Sequence, residues 1–444
     1  MLKIIRKQCR RAAADHRADR LFLALLVGAF ASGCIDGRAG FPQFSPNSTN
    51  IAYLWQTEVL APIGPERVRI RQRVDLRWCA VGHPERIRSL TIDTAGRELW
   101  NATLENYVQF SFSPDSSQIA VSTRGDLSCI DLDTGERRRL NDEGEIVSSF
   151  AWVADDEIGY MANSNVSGAR GTQIADRIVW RQRVHRPLEQ RRAIFQQVRA
   201  DVDLLDVGYS PGMFPPSESW SPRGNYLIFL SSPMRGELQL LNVATGQVSS
   251  FGARDLYLID IAWKADDSAV VCLVNSMSQT GWPPKEALLL HEPATARTVD
   301  MTRDYESLGL DESAFGIERR WTEDGTYIVI NDVFGVGGIL IHPRPWEVFQ
   351  VGEHLRRRLG PLPQWESSIT VKPLRVPGWV QTGGHGEEYA YNYRNDELVE
   401  LGDPVNAYIV VSPDGSKVAR LTFTGKLTVS TVDLEPATPK NNGE

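Results

Sequence analysis

Val411-Ser-Pro-Asp-Gly415 stands just ahead of the β-rich run Val418-Ala-Arg-Leu421, and this short combination decides the fold. The residues of the first segment suit a tight turn between two antiparallel strands. Ser opens the turn, Pro fixes φ at about −65°, Asp accepts local backbone hydrogen bonds, and Gly tolerates positive φ at the exit. The combination therefore predicts a strand, a turn and a second strand.

The same combination recurs along the chain, and an internal repeat of this length indicates a repeat architecture. A second element, seen in Ile130-Asp-Leu-Asp-Thr-Gly-Glu136 and Leu241-Asn-Val-Ala-Thr-Gly-Gln247, predicts a third strand, a Thr-Gly turn and a fourth strand. Four short strands per repeat correspond to one blade of a β-propeller. The repeats are placed at Phe44, Phe112, Trp152, Trp220, Trp263, Trp321 and Val411.

The aromatic residue, the Ser-Pro-Asp-Gly turn and the Ile-Ala-Tyr run resemble the propeller repeat of TolB and of the N-terminal domains of prolyl-oligopeptidase-type peptidases. The resemblance implies an all-β fold, with a single β-propeller over residues 44–434. Val376-Pro-Gly-Trp-Val380 and Glu388-Tyr-Ala-Tyr-Asn-Tyr393 add one more unit. We therefore predict seven or eight four-stranded blades and favour eight. The last unit shows three strands, and we expect residues 37–44 or the C-terminal tail to complete it.

The sequence between the third and fourth repeats is longer than a blade needs. Within it, Arg177-Ile-Val-Trp-Arg-Gln-Arg-Val184 and Arg192-Ala-Ile-Phe-Gln-Gln-Val198 predict a long hairpin around Pro187, which we interpret as an insertion. Pro211-Gly-Met-Phe-Pro-Pro216 follows as a breaker-rich loop, and exposed loops often carry binding.

The N-terminus has the pattern of a bacterial lipoprotein signal. Residues 1–20 are basic and polar, and Leu21-Phe-Leu-Ala-Leu-Leu-Val-Gly-Ala-Phe30 is an apolar run too short to cross a membrane as a helix. Ala31-Ser-Gly-Cys34 resembles a lipobox, in which the Cys is lipidated, although Ala31 replaces the usual Leu. We expect a signal peptide at 1–33, lipidation of Cys34, a linker at 34–43 and a polar tail at 435–444.

A simple secretory signal with an incidental Cys34 is the alternative. If the lipobox interpretation holds, the resemblance implies export and lipid anchoring to the cell envelope. Residue 35 is Ile rather than the Asp that often retains lipoproteins in the inner membrane. The resemblance therefore implies the outer membrane, with the protein facing the periplasm.

The charge balance limits the expected partners. Residues 1–33 hold seven basic and two acidic side chains, so their removal takes the formal net charge from −8 to −13. A domain this acidic has no general attraction for phosphate backbones, so we expect no nucleic-acid partner. The expected partners are a cell-envelope protein or another envelope component, and the membrane through the lipid anchor.

Two basic stretches stand out in this acidic domain. Arg69, Arg71 and Arg73 alternate along one predicted strand, and Arg181 and Arg183 alternate along another. They are candidates for contact with an anionic surface, such as lipid head groups, lipopolysaccharide or an acidic partner. We favour the alternative, that arginines on an outer edge strand block edge-to-edge pairing.

Ser210 is a candidate nucleophile, because Gly208-Tyr-Ser-Pro-Gly212 matches the G-x-S-x-G pattern. That mechanism needs the backbone N–H of the residue after Ser as an oxyanion donor, and Pro211 has none. The segment after Pro211 also does not predict a helix. We therefore expect no catalytic residue in this motif.

No ligand set for a metal or cofactor is predicted. His385-Gly-Glu-Glu388 has no second ligand group near it, and no Gly-rich phosphate loop is present. Asp201, Asp203 and Asp206 resemble part of a calcium loop that lacks its Gly and its final Glu. Three further cysteines lack metal-ligand spacing and are expected to be buried on strands, with one disulfide at most; these are Cys79, Cys129 and Cys272.

These patterns together predict a membrane-anchored, non-enzymatic binding or scaffold module of the cell envelope, acting through protein–protein interaction. The alternative is an envelope hydrolase or lyase with its site in the central propeller funnel. Residues of such a funnel come from different blades and leave no linear motif.

Overall fold

In the part of the chain that the structure describes, the named elements are strands, apart from a 3₁₀ turn at Leu188–Gln190. The strands, β1 to β29, pair antiparallel within seven sheets. This confirms the predicted all-β class, and the arrangement is propeller-like. The computed structural model describes residues 38–64, 67–95, 108–123, 125–167, 173–197, 220–231, 236–276, 285–302, 319–330, 339–343, 346–351, 370–384, 387–402 and 407–436.

The first three sheets each hold four strands in chain order. The first sheet contains β1 (Arg38–Phe44), β2 (Asn50–Gly64), β3 (Arg67–Ala80) and β4 (Arg88–Ala95). The second contains β5 (Val108–Phe112), β6 (Gln118–Thr123), β7 (Asp126–Asp131) and β8 (Arg137–Arg139). The third contains β9 (Glu145–Ala154), β10 (Glu157–Ser167), β11 (Gln173–Arg183) and β12 (Arg192–Gln197).

A six-stranded sheet follows, which we call the double sheet because it holds the strands of two repeats. Its long strand β15 pairs with β14 through its first residues and with β16 through its last residues. Trp220 adds an isolated bridge to Leu227 at one side. Its strands are β13 (Tyr226–Leu230), β14 (Gly236–Asn242), β15 (Val248–Trp263), β16 (Val270–Ser276), β17 (Lys285–Glu292) and β18 (Arg297–Asp300).

Three sheets complete the described chain, and only the final one has three strands. The sixth-repeat sheet contains β19 (Arg319–Trp321), β20 (Ile328–Ile330), β21 (Ile339–Pro343) and β22 (Trp346–Gln350). The next sheet is formed by the added unit around Val376, and we call it the seventh-repeat sheet because this unit stands seventh in the chain. It contains β23 (Thr370–Pro373), β24 (Trp379–Gly384), β25 (Glu387–Asn392) and β26 (Glu397–Gly402). The last sheet contains β27 (Ala407–Val411), β28 (Lys417–Thr422) and β29 (Leu427–Thr431).

Two of the repeat tryptophans tie their sheets to the sheet before. The indole N–H of Trp152 in the third sheet donates to the Ser111 carbonyl of the second, at 3.2 Å. In the same way Trp321 donates to the Ala262 carbonyl at 2.9 Å. Both rings are buried, so burial of apolar area and a satisfied N–H favour the same packing. These two tryptophans therefore help to fix how their sheets stack on the preceding ones.

Where the first turn begins with Ser or Thr, it has the hydrogen bonds that these residue types predict. In the last sheet the Ser412 hydroxyl donates to Asp414 Oδ1 at 2.5 Å and accepts the Lys417 N–H at 2.9 Å. Asp414 also accepts the Ser416 N–H at 3.1 Å. The same Ser or Thr hydroxyl bridge recurs at Ser45, Ser113 and Thr322. These side chains replace backbone partners that the turn leaves without a strand neighbour.

The fifth residue of the turn has positive φ and meets the turn of a neighbouring repeat. Ser48, Ser116 and Asp267 have φ values of 59°, 66° and 63°. The Ser116 hydroxyl accepts the Asn47 N–H at 3.2 Å, and the Ser48 hydroxyl accepts the Asp414 N–H at 3.4 Å. These contacts place the first turns on one side of the molecule, which we call the first-turn face.

Three predictions about chain segments need correction. The hairpin at 177–184 and 192–198 exists, as β11 and β12, but it supplies the two outer strands of the third sheet and is not an insertion. The predicted linker at 34–43 is too long, because β1 already begins at Arg38. Residues 38–44 pair with β2 and so do not complete the last sheet.

Other predicted features lie outside the described residues. They are the signal segment at 1–33, Cys34, the acidic set Asp201, Asp203 and Asp206, Ser210 with its loop, His385, and tail residues 437–444. Among the residues that are described, no helix has the length and apolar character to cross a membrane.

Asp414 provides a test of the turn chemistry. Partial burial opposes its ionisation, but hydrogen bonds from Ser412 and Ser416 outweigh this and lower its pKa to about 2. Because that pKa lies below the unfolded value of about 3.9, the carboxylate stabilises the fold above about pH 4, and this contribution is lost as the pH falls towards 2. We expect Asp414→Ala to lower the free energy of unfolding by about 1 kcal/mol at neutral pH.

The matched control is Asp414→Asn, since Asn47 accepts the equivalent bonds in the first repeat. The Asn variant should be more stable than the Ala variant. Its free energy of unfolding should also depend less on pH between about pH 4 and about pH 2 than that of the wild type. Urea unfolding across this range measures both effects. Equal stability of the Ala variant and the wild type at neutral pH would contradict the assignment.

Candidate binding surfaces

The first and last sheets pack on one another, and we call their contact the terminal interface. The Ala39 N–H donates to the Phe423 carbonyl at 3.0 Å, which joins the start of β1 to the turn between β28 and β29. Side chains from both sheets bury one another in two apolar clusters, formed by Ala39, Phe44, Ile51, Tyr53, Cys79, Val81, Ala419 and Leu421.

Aromatic residues cover one end of the terminal interface. Tyr408 contacts both Phe41 and Phe423. Its ring centroid lies 5.8 Å from that of Phe41 and 5.2 Å from that of Phe423. Phe423 is 42% exposed and occupies the turn next to Ala39. An exposed aromatic residue therefore marks the end of the interface where the chain enters β1.

β29 leaves one edge of the last sheet open. The Thr422 N–H donates to the Lys426 carbonyl, and pairing continues through Arg420 with Thr428 and Val418 with Ser430. Because hydrogen-bonded pairs alternate along an antiparallel ladder, the backbone N–H and C=O groups of the residues between them point away from β28. These residues are Leu427, Val429 and Thr431. No described residue pairs with this edge.

The open edge also differs in charge from the other outer edges. The outermost strands β4, β8, β12, β18, β22 and β26 each contain charged residues, whereas β29 reads Leu-Thr-Val-Ser-Thr. Charged side chains on an edge strand discourage pairing with another chain. β29 has no such protection.

The C-terminal tail turns away from this edge. The Leu434 N–H donates to the Gly415 carbonyl at 3.1 Å, and the Trp379 indole N–H donates to the Glu435 carbonyl at 2.8 Å. Leu434 is 2% exposed and packs with Val376 and Trp379 between the last two sheets. The prediction that the tail completes the last sheet is therefore wrong for residues 432–436.

The predicted anionic-contact arginines are partly paired with acidic residues. Arg73 Nε lies 2.7 Å from Asp75 Oδ1, and Asp75 is only 3% exposed. Arg181 lies 2.7 Å from Glu157, and Arg183 lies 3.9 Å from Asp156. Only the strand positions of Arg69 and Arg71 are described, opposite Ala61 and Val59.

The edge-protection interpretation does not fit Arg73 and Arg181, because their strands are flanked on both sides. β3 lies between β2 and β4 at Arg73, and β11 lies between β10 and β12 at Arg181. The two basic stretches also lie at opposite ends of their sheets. Arg183 is opposite Glu157 beside the first turn, while Arg69 and Arg71 approach the second turn of the first sheet. The structure therefore does not bring the two stretches together.

The second turn of the first sheet is carried on a two-stranded extension, which we call the arm. It comprises residues 57–64 of β2 and 67–73 of β3, and beyond Glu58 and Gln72 these strands pair, among the described residues, only with each other. β1 stops pairing with β2 at Arg38, opposite Gln56, and β4 stops pairing with β3 at Gln72. The arm thus projects from the end of the sheet where the chain enters β1.

A charged cluster in the third sheet is structural. Arg191 donates to Glu145 at 2.6 Å and to Tyr160 Oη at 3.1 Å, pairs with Asp142, and lies 3.8 Å from the centroid of Trp180. It links β9, β10 and β11 where β12 begins. Sequence patterns do not reveal it, because its members are far apart in the chain.

The described residues supply no metal cluster. No group of three or more His, Cys, Asp or Glu side chains among them is placed to hold an ion. Cys79, Cys129 and Cys272 are buried, as expected for small apolar residues on strands, and form no disulfide with one another. Burial raises the pKa of the Cys79 thiol to about 11 and that of Cys129 to about 12.

Comparison with known proteins finds similarity in chain shape only. No family model matches the sequence, and no curated protein matches it. A puromycin-hydrolysing peptidase of Mycobacterium tuberculosis is similar at TM-score 0.45 and 10% identity, over 87% of this chain and 58% of that one. The chain therefore spans little more than half of that peptidase.

Two further solved structures are similar at the same level. Hydrazine synthase of Kuenenia stuttgartiensis matches 90% of this chain and 97% of its own, with TM-score 0.41 and 11% identity. Pyrococcus horikoshii acylaminoacyl peptidase matches 83% of this chain and 52% of its own, with TM-score 0.43 and 10% identity. No function is carried over from these similarities.

Leu434 provides a test of how the tail is held. Leu434→Ala removes a buried side chain between the last two sheets, and we expect a loss of about 2–4 kcal/mol in the free energy of unfolding. The neighbouring Asp433→Ala is the control, because Asp433 is exposed, and should change stability by less than about 0.5 kcal/mol. Equal melting curves for the two variants would show that the tail does not hold these sheets together.

Proposed function

We propose that this protein is a membrane-anchored, non-enzymatic binding module of the cell envelope, which takes an extended strand of a partner protein onto β29. The observation that carries the proposal is the open, uncharged edge of the last sheet. Addition of a strand to an exposed sheet edge is a common mode of peptide recognition, in which backbone hydrogen bonds supply affinity.

We further propose that the fold is a closed, TolB-like propeller of eight blades. The double sheet counts as two blades, so the sheets supply eight units in all. The terminal interface supports closure, because it packs the first unit against the last. On this count seven blades have four strands, if Trp220 is taken as the first strand of the fourth, and the last blade has three.

The chain's own termini are poor candidates for the missing strand. If Cys34 is the mature N-terminus, only four residues precede Arg38. These residues also have to link the lipid to β1, so they cannot form a further strand of the last sheet. The tail reaches the seventh-repeat sheet through Leu434 and Glu435. A strand from another protein is therefore the proposed occupant.

The edge itself limits the chemistry of this partner. Leu427 and Val429 pack partly against the terminal interface, whereas Thr428 and Ser430 are exposed. A strand paired with β29 continues this alternation, with apolar residues on the side of the first sheet and polar residues on the other. We propose an uncharged, extended segment of an envelope protein as the partner, and no nucleic acid.

Anchoring by a lipid on Cys34 is the second part of the proposal. Mass spectrometry of the membrane fraction should find an acylated Cys34 as the N-terminal residue, and Cys34→Ala should release the protein into the soluble fraction. We expect this result because the apolar run at 21–30 and the small residues before Cys34 form the pattern of a lipoprotein signal peptide. A wild-type protein that is soluble and begins at another residue would contradict the anchor.

Thr431→Pro tests the open edge. Thr431 is exposed and its N–H points away from β28, so Pro removes an outward donor and spares the pairing within the sheet. The probe is a capped eight-residue peptide of alternating valine and threonine, with binding measured by calorimetry. We expect Thr431→Pro to weaken its binding by roughly tenfold, the loss of about one backbone hydrogen bond.

Thr431→Val is the matched control, because it keeps the backbone N–H. It should bind the peptide as the wild type does, and hydrogen exchange should show bound peptide protecting residues 427–431. Equal binding by the Pro variant, or protection confined to another segment, would overturn the proposed site. If the bound peptide instead protected backbone amides in the central propeller funnel from hydrogen exchange, the enzyme alternative would be favoured.

A further inference from the structure

The arm begins at the same level of the first sheet as residues 34–37, which we call the N-terminal tether because they precede β1. Arg38, the first residue of β1, pairs with Gln56, and the arm begins at the next residue of β2. If Cys34 carries the lipid, the tether to Arg38 spans at most about 14 Å. The eight residues 57–64 extend about 26 Å as a strand. The arm is therefore longer than the tether.

The arm has two chemically different faces. Residues directly opposite in an antiparallel pair share a face, and successive residues alternate between faces. One face combines the positions of Arg69 and Arg71 with those of Ala61 and Val59. The other combines Val68 and Ile70 with Pro62 and Leu60. The arm is thus cationic on one side and apolar on the other.

From Val59 to Arg71 the arm has no third strand beside it in the described part of the chain, and an isolated two-stranded hairpin is marginally stable in water. A surface that contacts the arm is therefore expected to stabilise it. The acidic residues of its sequence, Glu58 and Glu66, are outnumbered by Arg67, Arg69, Arg71 and Arg73. Arg73 is paired with Asp75, and alternation along β3 places Arg67, Arg69 and Arg71 at positions of the same face.

We propose that the arm lies on an anionic lipid surface, with its arginines at the lipid phosphates and Val68 and Ile70 at the boundary of the acyl chains. The proposal rests on the lipid anchor proposed above. It deepens that function by orienting the domain, with the second turn of the first sheet towards the membrane. Exposed Phe423, beside Ala39, lies near the same end of the terminal interface.

The geometry favours a membrane over a soluble partner for the arm. A tether of about 14 Å keeps Arg38 close to the lipid surface, and an arm of about 26 Å from the same level meets that surface unless this end of the domain is turned aside. Cationic residues near an anionic leaflet and apolar residues at its boundary are the pattern of interfacial membrane binding. Arg181 and Arg183, at the opposite end of their sheet, are excluded from this surface.

The test uses the full-length acylated protein in vesicles of phosphatidylethanolamine and phosphatidylglycerol at roughly three to one. An environment-sensitive fluorophore is attached at Ile70→Cys, and in a second sample at Ile87→Cys. Ile87 is 39% exposed and lies in the β3–β4 turn at the opposite end of the first sheet. The native cysteines at 79, 129 and 272 are buried and should not be labelled.

For the fluorophore at position 70, we expect the emission to shift to the blue and to be quenched by spin-labelled lipid. For the fluorophore at position 87, we expect neither change. In the position-70 sample, Arg69→Gln with Arg71→Gln should lower the ratio of inserted to free arm by roughly tenfold or more, whereas Arg181→Gln with Arg183→Gln should not change it.

Vesicle flotation separates this inference from the anchor on which it rests. Failure of the wild type to float with vesicles would overturn the anchor. Flotation with quenching at position 87 and none at position 70 would overturn the orientation and leave the anchor intact. Quenching at position 70 that is indifferent to phosphatidylglycerol would overturn the role of the arginines.

Discussion

The contact between the first turns of neighbouring repeats is the constraint on which the rest of the fold depends. A residue with positive φ at the fifth position lets the turn close tightly against its neighbour. Where this residue is Gly224, a Cβ atom would lie 2.8 Å from the Trp152 carbonyl oxygen of the preceding sheet. Where it is Asp267, the carboxylate instead accepts from Ser221, Arg223 and Asn225 of the preceding repeat. Close packing and hydrogen bonding are thus two ways in which the fifth residue joins neighbouring turns.

Local chemistry explains why much of the fold was predictable. The Ser, Asp and Gly positions of Val411–Gly415 specify a turn without help from the rest of the chain, and the aromatic residue that precedes this turn in the other repeats specifies a buried strand end. Their repetition then indicated stacked sheets. Segment 177–198 was assigned to an insertion because the distance to the next repeat was large, although its residues form the third and fourth strands of the third sheet. Sequence spacing alone cannot separate a blade with a long following connection from a blade with an inserted hairpin.

The candidate surfaces were less predictable, since they depend on residues that are distant in the chain. The absence of charge in Leu427-Thr-Val-Ser-Thr431 is visible in the sequence, but its significance requires the knowledge that this strand ends a sheet. The arginine ladders were found by alternation, which is a property of one strand. Whether such a ladder is paired depends on partners such as Asp75 and Glu157. The distinction between the arm and β11 therefore appears only in three dimensions.

The position of the open edge relative to the tether restricts how a partner reaches it. Leu427 follows the turn whose Phe423 carbonyl accepts from Ala39, so β29 begins beside the start of β1 and runs away from it. A strand added antiparallel to β29 ends next to this turn. With Cys34 as the lipid anchor, that end lies within a few residues' reach of the membrane surface. If both proposals hold, the partner segment on β29 runs towards the membrane surface, which would favour a partner that is itself bound to that membrane.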